Sequence, residues 1–233
     1  MMVTTTNAVT FRRSGSRVRP REQEDLAVRA DGSFAIWRAV NAGPIGRFGG
    51  TLADPDAAAV REAVAAAGGA AGPPAFMVLD AVSETVTIGR VNVTVGRHDV
   101  PDAAWGDLFV LLRRFLDEGT DRPLAAVALE TDARGTFARL VQRGPEALEV
   151  DLSRVTLGAQ VFGPGYSTHG QWSTVVQAGG RGPVGPGWSL DLPFDHGLEL
   201  TADRVVQVRV EFVAYDGVLA VPVMILASPA PLG

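Results

Sequence analysis

Residues that could carry out catalysis concentrate in one glycine-rich segment, FGPGYSTHGQWS, at residues 162–173. A hydrolase would use Ser167 as the nucleophile and His169 or His196 as the general base, with an aspartate to orient the histidine. A serine nucleophile of this kind sits on a strained turn such as G-x-S-x-G, and the sequence has P-G-Y-S-T-H-G instead. We therefore favour a solvated polar loop and keep catalysis by these three residues as the alternative.

Metal binding by histidine is a second chemical alternative. The three histidines, His98, His169 and His196, are too scattered for a local motif such as H-E-x-x-H. Folding could still bring together His98-Asp99 and Asp195-His196, which are pairs of potential ligands. Surface histidines beside aspartates are far commoner than metal sites, so we expect neither a metal nor a cofactor.

Composition excludes further chemistry. The 233 residues include no cysteine and no lysine, which excludes thiolate nucleophiles, disulfides, cysteine zinc sites, lysine Schiff bases and a P-loop lysine. The net charge of -5 leaves no cationic surplus for nucleic acid. No apolar run is long enough to span a membrane and no secretory signal precedes the first arginines. We expect a soluble, cytoplasmic protein, with export as the alternative.

Aromatic and cationic residues in the glycine-rich loops are the predicted binding residues. Trp172 and Trp188 flank these loops, where an exposed tryptophan can anchor a protein partner or a sugar. Tyr166 and Arg181 lie in the same loops and complete the predicted binding set. The two remaining tryptophans, Trp37 and Trp105, lie in regular elements and are predicted to be core residues.

The only basic cluster lies near the start of the chain. Its members are Arg12, Arg13, Arg17, Arg19 and Arg21. The cluster could hold an acidic partner or a phosphate. We favour a solvated strand face or a flexible arm, because most charge runs are of that kind.

The N-terminal half alternates predicted hairpins and helices. Residues 26–40 carry Asp31-Gly32 between two strand-like runs, and this dipeptide predicts a two-residue type I′ turn because both positions need positive φ. A second hairpin, over residues 83–97, is predicted to turn at its central Gly-Arg dipeptide.

Helix-end signals delimit two helices. The first is predicted to begin at an N-cap, Asp54, with Pro55 in its first position, and to end at Gly68. The second has the candidate cap Asp102, apolar residues at helical spacing, and an end at Gly119.

After Pro123 the helical periodicity stops and short strand-like runs separated by Gly and Pro follow. Asp216-Gly217 predicts a closing hairpin over residues 205–227. Pro222 lies in its second strand, which predicts that this strand is at a sheet edge or is bulged.

Together these elements predict an α+β fold. Antiparallel strands with two helices come first, and a mostly-β sandwich or partly open barrel follows. The predicted domains are residues 1–121 and residues 122–233, with a single fused domain as the alternative.

The order hairpin, helix, hairpin, helix resembles the emfourin family of bacterial protealysin inhibitors over residues 9–118. The matching segments are VTFRRSGS, VNVTVGRHDVP and LFVLLRRFL. The resemblance implies a compact α+β module that binds a protease and performs no chemistry. It carries no inhibitory residue across to this chain and covers none of residues 124–233.

The leading functional prediction is a non-enzymatic protein-binding module, such as an inhibitor or an assembly component. Its basis is the lack of catalytic signatures together with edge-prone strands and loop tryptophans. The alternatives are a hydrolase or metal-dependent enzyme that uses Ser167, His169 and His196, and a structural subunit of a larger particle. The expected partner is another protein, and a homo-oligomer is open.

Overall fold

The computed structural model describes residues 7–15, 23–39, 43–70, 82–96, 101, 103–132, 135–163, 168–198 and 204–227. These residues form two helices and fourteen strands. In chain order the elements are β1 (Asn7–Ser14), β2 (Gln23–Arg29), β3 (Ser33–Ala39), β4 (Ile45–Thr51), α1 (Asp54–Gly69), β5 (Ser83–Ile88), β6 (Val91–Gly96), α2 (Ala103–Gly119), β7 (Pro123–Glu130), β8 (Ala138–Arg143), β9 (Leu148–Phe162), β10 (Thr168–Val176), β11 (Arg181–Val184), β12 (Ser189–Leu192), β13 (Val205–Asp216) and β14 (Leu219–Ala227).

The chain divides into two compact units. The first contains residues 1–38 and 47–123, and the second contains residues 39–46 and 124–233. The second unit therefore takes a short segment from within the first half of the sequence. The predicted domains, residues 1–121 and 122–233, have a single boundary in the sequence and place residues 39–46 in the first domain.

The first unit is an antiparallel sheet with two helices. Its strand order is β4-β3-β2-β1-β5-β6. Burial alternates along β2, as expected of a strand with one face on a core. Helix α2 buries an apolar stripe, and its Phe109 meets Phe11 of β1 edge to face, with ring centroids 6.1 Å apart. Trp37 and Trp105 are buried, as predicted.

Five charged side chains of the first unit form what we call the buried ion-pair cluster: Arg13, Glu24, Arg38, Glu84 and Arg113. Glu84 is fully buried and accepts hydrogen bonds from Arg13 Nε at 3.0 Å and from Arg113 Nε at 2.6 Å. Glu24 accepts from Arg13 and Arg38, each at 3.0 Å. The interpretation of the N-terminal arginines as a solvated face is therefore wrong for Arg13.

The charge of Arg13 is stabilised by its partners. Burial alone would favour the neutral form, but Glu24 and Glu84 outweigh that effect and hold the pKa of Arg13 above its ordinary value. Arg12, the residue before it, points to the opposite face of β1 and makes an exposed ion pair with Asp25. Alternation along the strand thus separates a buried arginine from a solvated one.

The first helix begins differently from its prediction. Asp54 is the first helical residue, and the N-cap position belongs to Ala53, which makes no side-chain capping hydrogen bond. Asp54 and Asp56 instead place negative charge in the first turn, where the helix dipole favours it. The helix ends at Gly69, one residue later than predicted. Helix α2 ends at Gly119 as predicted, while Asp102 lies outside the described residues.

The β2–β3 hairpin has a three-residue loop, so the two-residue type I′ prediction is wrong. Gly32 N donates to Arg29 O at 3.0 Å, and Gly32 has φ +82°. Asp31 Oδ1 accepts from the backbone and side chain of Ser33. An aspartate that caps its own turn and a glycine in the left-handed region suit the loop of three residues.

The second unit has strands alone among its described residues. Five strands form one sheet: four of them lie in the order β10-β9-β13-β14, and the fifth, β11, also pairs with β9. Strands β12, β8 and β7 pair in that order. The sheet that contains β13 has an apolar inward face, because alternate residues of β13 are buried and all of these are apolar. Gly135, at φ +61°, lies so close to Val206 that a Cβ there would be 2.6 Å from a valine methyl.

The predicted fold class is confirmed: the chain is α+β, with helices confined to the first half and mostly strands after Pro123. Pro222 lies on β14, which is an edge strand, as predicted. The closing hairpin turns at Gly217-Val218, one residue beyond the predicted Asp216-Gly217, because Asp216 pairs with Leu219. Neither described helix is both long and apolar enough to cross a bilayer.

Candidate functional site

An open groove of about 300 Å³ lies in the second unit, between the end of one sheet and the start of β12. Strands β9 and β11 form one side, and the segment that leads into β12 forms the other. The lining residues are Val150, Leu152, Ala178, Gly179, Gly180, Arg181, Gly182, Pro183, Val184, Trp188 and Leu190. Two of the predicted binding residues, Trp188 and Arg181, therefore line the same groove.

An irregularity in β9 shapes the floor of the groove. Buried residues alternate up to Leu152 and resume at Val155, so two exposed residues follow each other in between. On one side of this bulge β9 pairs with β10, and on the other side it pairs with β11. Leu152 O accepts from the backbone of Ala178 and Gly179, which fixes the connection between the two partner strands.

Glycine keeps the β11 side of the groove open. A Cβ added at Gly180 or Gly182 would have no atom within 4 Å. Neither residue has a positive φ, so a larger side chain could adopt the same backbone conformation. The groove is therefore open mainly because glycine has no side chain, and larger residues at these positions would fill it.

Trp188 is held at the groove by backbone hydrogen bonds on both sides. Its N–H donates to Gly185 O at 3.0 Å, and its carbonyl accepts from Gln142 N at 2.9 Å. The buried Gln142 side chain donates to the carbonyls of Arg143, Gly144 and Glu146. These bonds fix the backbone at Trp188, so ligand binding does not have to order it, which reduces the entropic cost of binding.

Arg181 is exposed and is oriented by two neighbours. Its Nε donates to Glu149 Oε1 at 2.6 Å, and its guanidinium carbon lies 4.0 Å from the centre of the Tyr215 ring. The hydrogen bond to Glu149 holds the pKa of Arg181 above its ordinary value. Stacking over an aromatic ring leaves the remaining guanidinium N–H groups accessible.

Two carboxylates lie next to groove residues in the sequence, and both have a pKa below the ordinary aspartate value. For Asp151 the main cause is hydrogen bonding from the Ser153 side chain, followed by the Ser153 backbone. For Asp191 the main cause is the hydrogen bond from Arg139, whose Nε lies 2.5 Å from Asp191 Oδ1. Both groups are therefore ionised at neutral pH.

Replacing Arg139 with methionine is expected to raise the pKa of Asp191 toward its ordinary value of 3.8. In the folded protein the lowered pKa means that the pair stabilises the fold above pH 3.8, and that this stabilisation is lost as the pH falls through the lowered pKa. Carboxyl ¹³C NMR of the wild type and the variant gives both pKa values. An unchanged Asp191 titration would contradict the assignment, and Asp151 serves as an internal control.

The other predicted binding tryptophan belongs to a different cluster. Trp172 of β10 meets Phe194 edge to face at 5.2 Å, and Phe194 meets His196 in the same way at 5.6 Å. Leu198 lies over Gly170 of the same strand. Residues 193–198 thus run across one face of β10 and cover Trp172, which is half-buried.

His196 has a structural role within this segment. Its Nδ1 accepts a hydrogen bond from Leu198 N at 2.9 Å, so the ring carries its proton on the other nitrogen. His169 is exposed and lies against Gly163, where a Cβ would be 2.2 Å from the histidine Nε2. No group of three histidine or carboxylate side chains that could hold a metal ion occurs among the described residues.

Three predicted site residues lie outside the described part of the chain: His98, Tyr166 and Ser167. The predictions that Ser167 is a nucleophile, that Tyr166 binds and that His98 ligates a metal stay predictions. Of the lining residues, only Arg181 and Trp188 were predicted; the strand residues that sequence inspection missed include Val150, Leu152 and Leu190. Their alternation marks them as inward-facing, but no sequence signal shows that the two strand ends meet.

Comparison with known proteins adds no relative: no protein-family model, no curated protein and no solved structure matches the chain.

Proposed function

We propose that the chain is a non-enzymatic protein-binding module whose groove receives an apolar side chain of a protein partner. The observation that carries the proposal is the groove itself, where Trp188 and Arg181 lie on the rim of an apolar, glycine-lined opening. Tryptophan, arginine and tyrosine dominate the binding energy of protein interfaces. Tyr215, stacked against Arg181, supplies the third of these types.

The side chains that line the groove favour binding of a partner over catalysis of a reaction. Apart from Arg181, these side chains are aliphatic, aromatic or absent. An arginine stays protonated at neutral pH, so it can hold a carboxylate or a carbonyl but cannot act as a general base there. An apolar opening with a single cationic group suits recognition of a polypeptide segment.

Filling the groove is expected to weaken partner binding without unfolding the protein. Residue 182 shares a face of β11 with Val184, which is buried and lines the groove, so a leucine there would point to the same side, and its Cβ would meet no atom within 4 Å. The matched control is Gly185→Leu, in the next turn, where a Cβ also has open space but the residue does not line the groove. We expect Gly182→Leu to weaken partner binding at least about tenfold, or about 1.4 kcal/mol, and Gly185→Leu to leave it unchanged.

The experiment uses the tagged full chain as wild type, Gly182→Leu and Gly185→Leu. Proteins captured from a lysate of the native host are identified by mass spectrometry, and the stoichiometric partner is then purified and titrated against all three by calorimetry. Equal thermal unfolding of the three proteins shows that the fold is intact. Equal affinity of the two variants for every captured protein would contradict the proposal.

An inhibitor is the more specific form of this proposal. The resemblance of residues 9–118 to the emfourin family implies a protease as the partner, and that prediction has its own test. Purified proteases of the native host, assayed with a peptide substrate, should lose activity when the chain is added in stoichiometric amount. Activity that stays constant would contradict the inhibitor form of the proposal, and it would not bear on the groove, whose lining residues lie outside residues 9–118.

A further inference from the structure

Strand β10 is an edge of its sheet. Its one register irregularity, between Thr168 and Gly170, lies at the start of the strand, and from Gln171 to Val176 the strand lacks the usual protection against strand pairing. On one side it pairs with β9, and no other described strand pairs with its other side. Its sequence, THGQWSTVV, contains neither a carboxylate, nor an arginine, nor a proline. Long edge strands normally carry charges or prolines, because exposed backbone groups otherwise pair with another chain.

The other edges of the same sheet do carry this protection. Pro183 interrupts β11, and Pro222 interrupts β14. A proline is tolerated in a strand only where the missing N–H would have pointed away from the neighbouring strand. The two prolines therefore hinder pairing on the outer sides of β11 and β14, and among the described edges of this sheet β10 is the one without a proline or an arginine–carboxylate pair.

The hydrogen-bond alternation can be traced across the sheet from the closing hairpin. The two-residue turn makes Asp216 and Leu219 a hydrogen-bonded pair, so every second residue of β13 back from Asp216 bonds to β14. The residues between them, including Arg209, bond to β9, and Arg209 lies opposite Gly158. Gly158 therefore directs its backbone groups toward β13.

The alternation then fixes the outer side of β10. Since Gly158 bonds to β13, its neighbour Ala159 bonds to β10, where it lies opposite Trp172. Trp172 accordingly turns its N–H and C=O inward, and the residues on either side turn theirs outward. The outward-facing residues are Gln171, Ser173 and Val175, whose side chains are also exposed.

We propose that a second copy of this chain pairs with this edge, β10 to β10, in an antiparallel two-fold dimer centred on Ser173. In this register Ser173 lies opposite the same residue of the other copy, and Gln171 lies opposite Val175. Each outward residue then donates one hydrogen bond and accepts one. The arrangement is isologous, so it closes at two subunits.

The occupant follows from the composition of the strand. A two-fold pairing places each side chain opposite one from an identical strand, so any charge near the axis would face its own copy and repel it. The absence of carboxylates and arginines from β10 is therefore needed for self-pairing and is not needed for pairing with a charged peptide. Residues 193–198 cover the Trp172 face of β10, so the free edge and not that face is available for contact.

The oligomeric state of the full chain tests the proposal directly. Analytical ultracentrifugation from about 1 µM to about 1 mM should show a concentration-dependent monomer–dimer equilibrium. Ser173→Pro removes an outward N–H at the two-fold axis without loss of a bond to β9, as Pro222 does on the opposite edge. We expect this variant to weaken the dimer at least about tenfold, with unchanged thermal unfolding.

Cysteine substitution tests the register, because the chain contains no cysteine. Ser173→Cys should give a disulfide-linked dimer under mild oxidation, since directly opposite residues have Cα atoms about 5.5 Å apart. Gln171→Cys, opposite Val175, should cross-link far more slowly. A wild type that stays monomeric throughout, a Ser173→Pro variant that dimerises equally well, or equal cross-linking of both cysteine variants would each overturn the proposal. Binding at the groove is independent of these outcomes.

Discussion

Replacing Glu84 with glutamine is expected to lower the free energy of unfolding by about 3 to 5 kcal/mol. Glu84 is fully buried, and its two carboxylate oxygens each accept from a different arginine, Arg13 and Arg113. The neutral amide keeps the shape of the side chain but removes the negative charge that these guanidiniums share. The loss is large because two cations are then left close together in a region with little water. Urea denaturation followed by circular dichroism measures it.

The matched control is Glu130→Gln. Glu130 also pairs with an arginine, Arg143, at 2.5 Å, but both side chains are exposed. An exposed pair contributes about 1 kcal/mol or less, so this variant should unfold close to the wild type. Equal destabilisation by the two substitutions would show that burying the ion-pair cluster does not increase its contribution to the free energy of unfolding.

Replacing Gly46 with alanine is expected to destabilise the second unit by about 3 kcal/mol or more. Gly46 has φ +129°, a conformation that residues with a side chain rarely adopt. A Cβ at this position would also lie 2.3 Å from Ala125 O and 2.8 Å from Ala126 Cα. Both neighbouring atoms belong to the backbone of β7, so the contact cannot be relieved by a change of rotamer. The same denaturation measurement applies, with a signal from Trp172 or Trp188.

Gly185→Ala is the control for this prediction. Gly185 belongs to the same unit, but a Cβ there meets no atom within 4 Å and its φ is not positive. We expect no measurable destabilisation from it. If Gly46→Ala were equally harmless, segment 39–46 would have to shift away from β7 at little cost.

Much of the fold follows from local sequence signals. Helix α2 was predictable because its apolar stripe and its terminal glycine agree. The β5–β6 hairpin was predictable because β-branched residues and period-two alternation agree. Pro222 indicated an edge strand because a proline cannot serve the middle of a sheet. In each case two independent physical signals point to the same element.

The errors have local causes as well. Asp54 looked like an N-cap, but Ala53 occupies that position and the aspartate contributes through the helix dipole alone. Asp31-Gly32 suggested a type I′ turn, but Asp31 hydrogen-bonds to Ser33 and stabilises a longer loop. The burial of Arg13 could not be foreseen, because its partner Glu84 is far away in the sequence.

The candidate groove was only partly predictable. Trp188 and Arg181 stood out because large aromatic and cationic residues are unusual within glycine-rich loops. Their common location depends on the pairing of β11 with β9 and on the Trp188–Gln142 hydrogen bond, both of which are long-range contacts. Trp172 has the same sequence context as Trp188, and only the structure shows that Phe194 covers it.

The inclusion of residues 39–46 in the second unit has a consequence for biosynthesis. A ribosome completes this segment long before it reaches residue 124, where the remainder of that unit begins. Gly46 and its neighbours must therefore wait, without their final packing partners, while the first unit's helices are translated. The second unit can close only after the later strands have been made, so its assembly belongs to the end of synthesis. A ribosome that stalls midway leaves an early segment without its packing partners in the second unit.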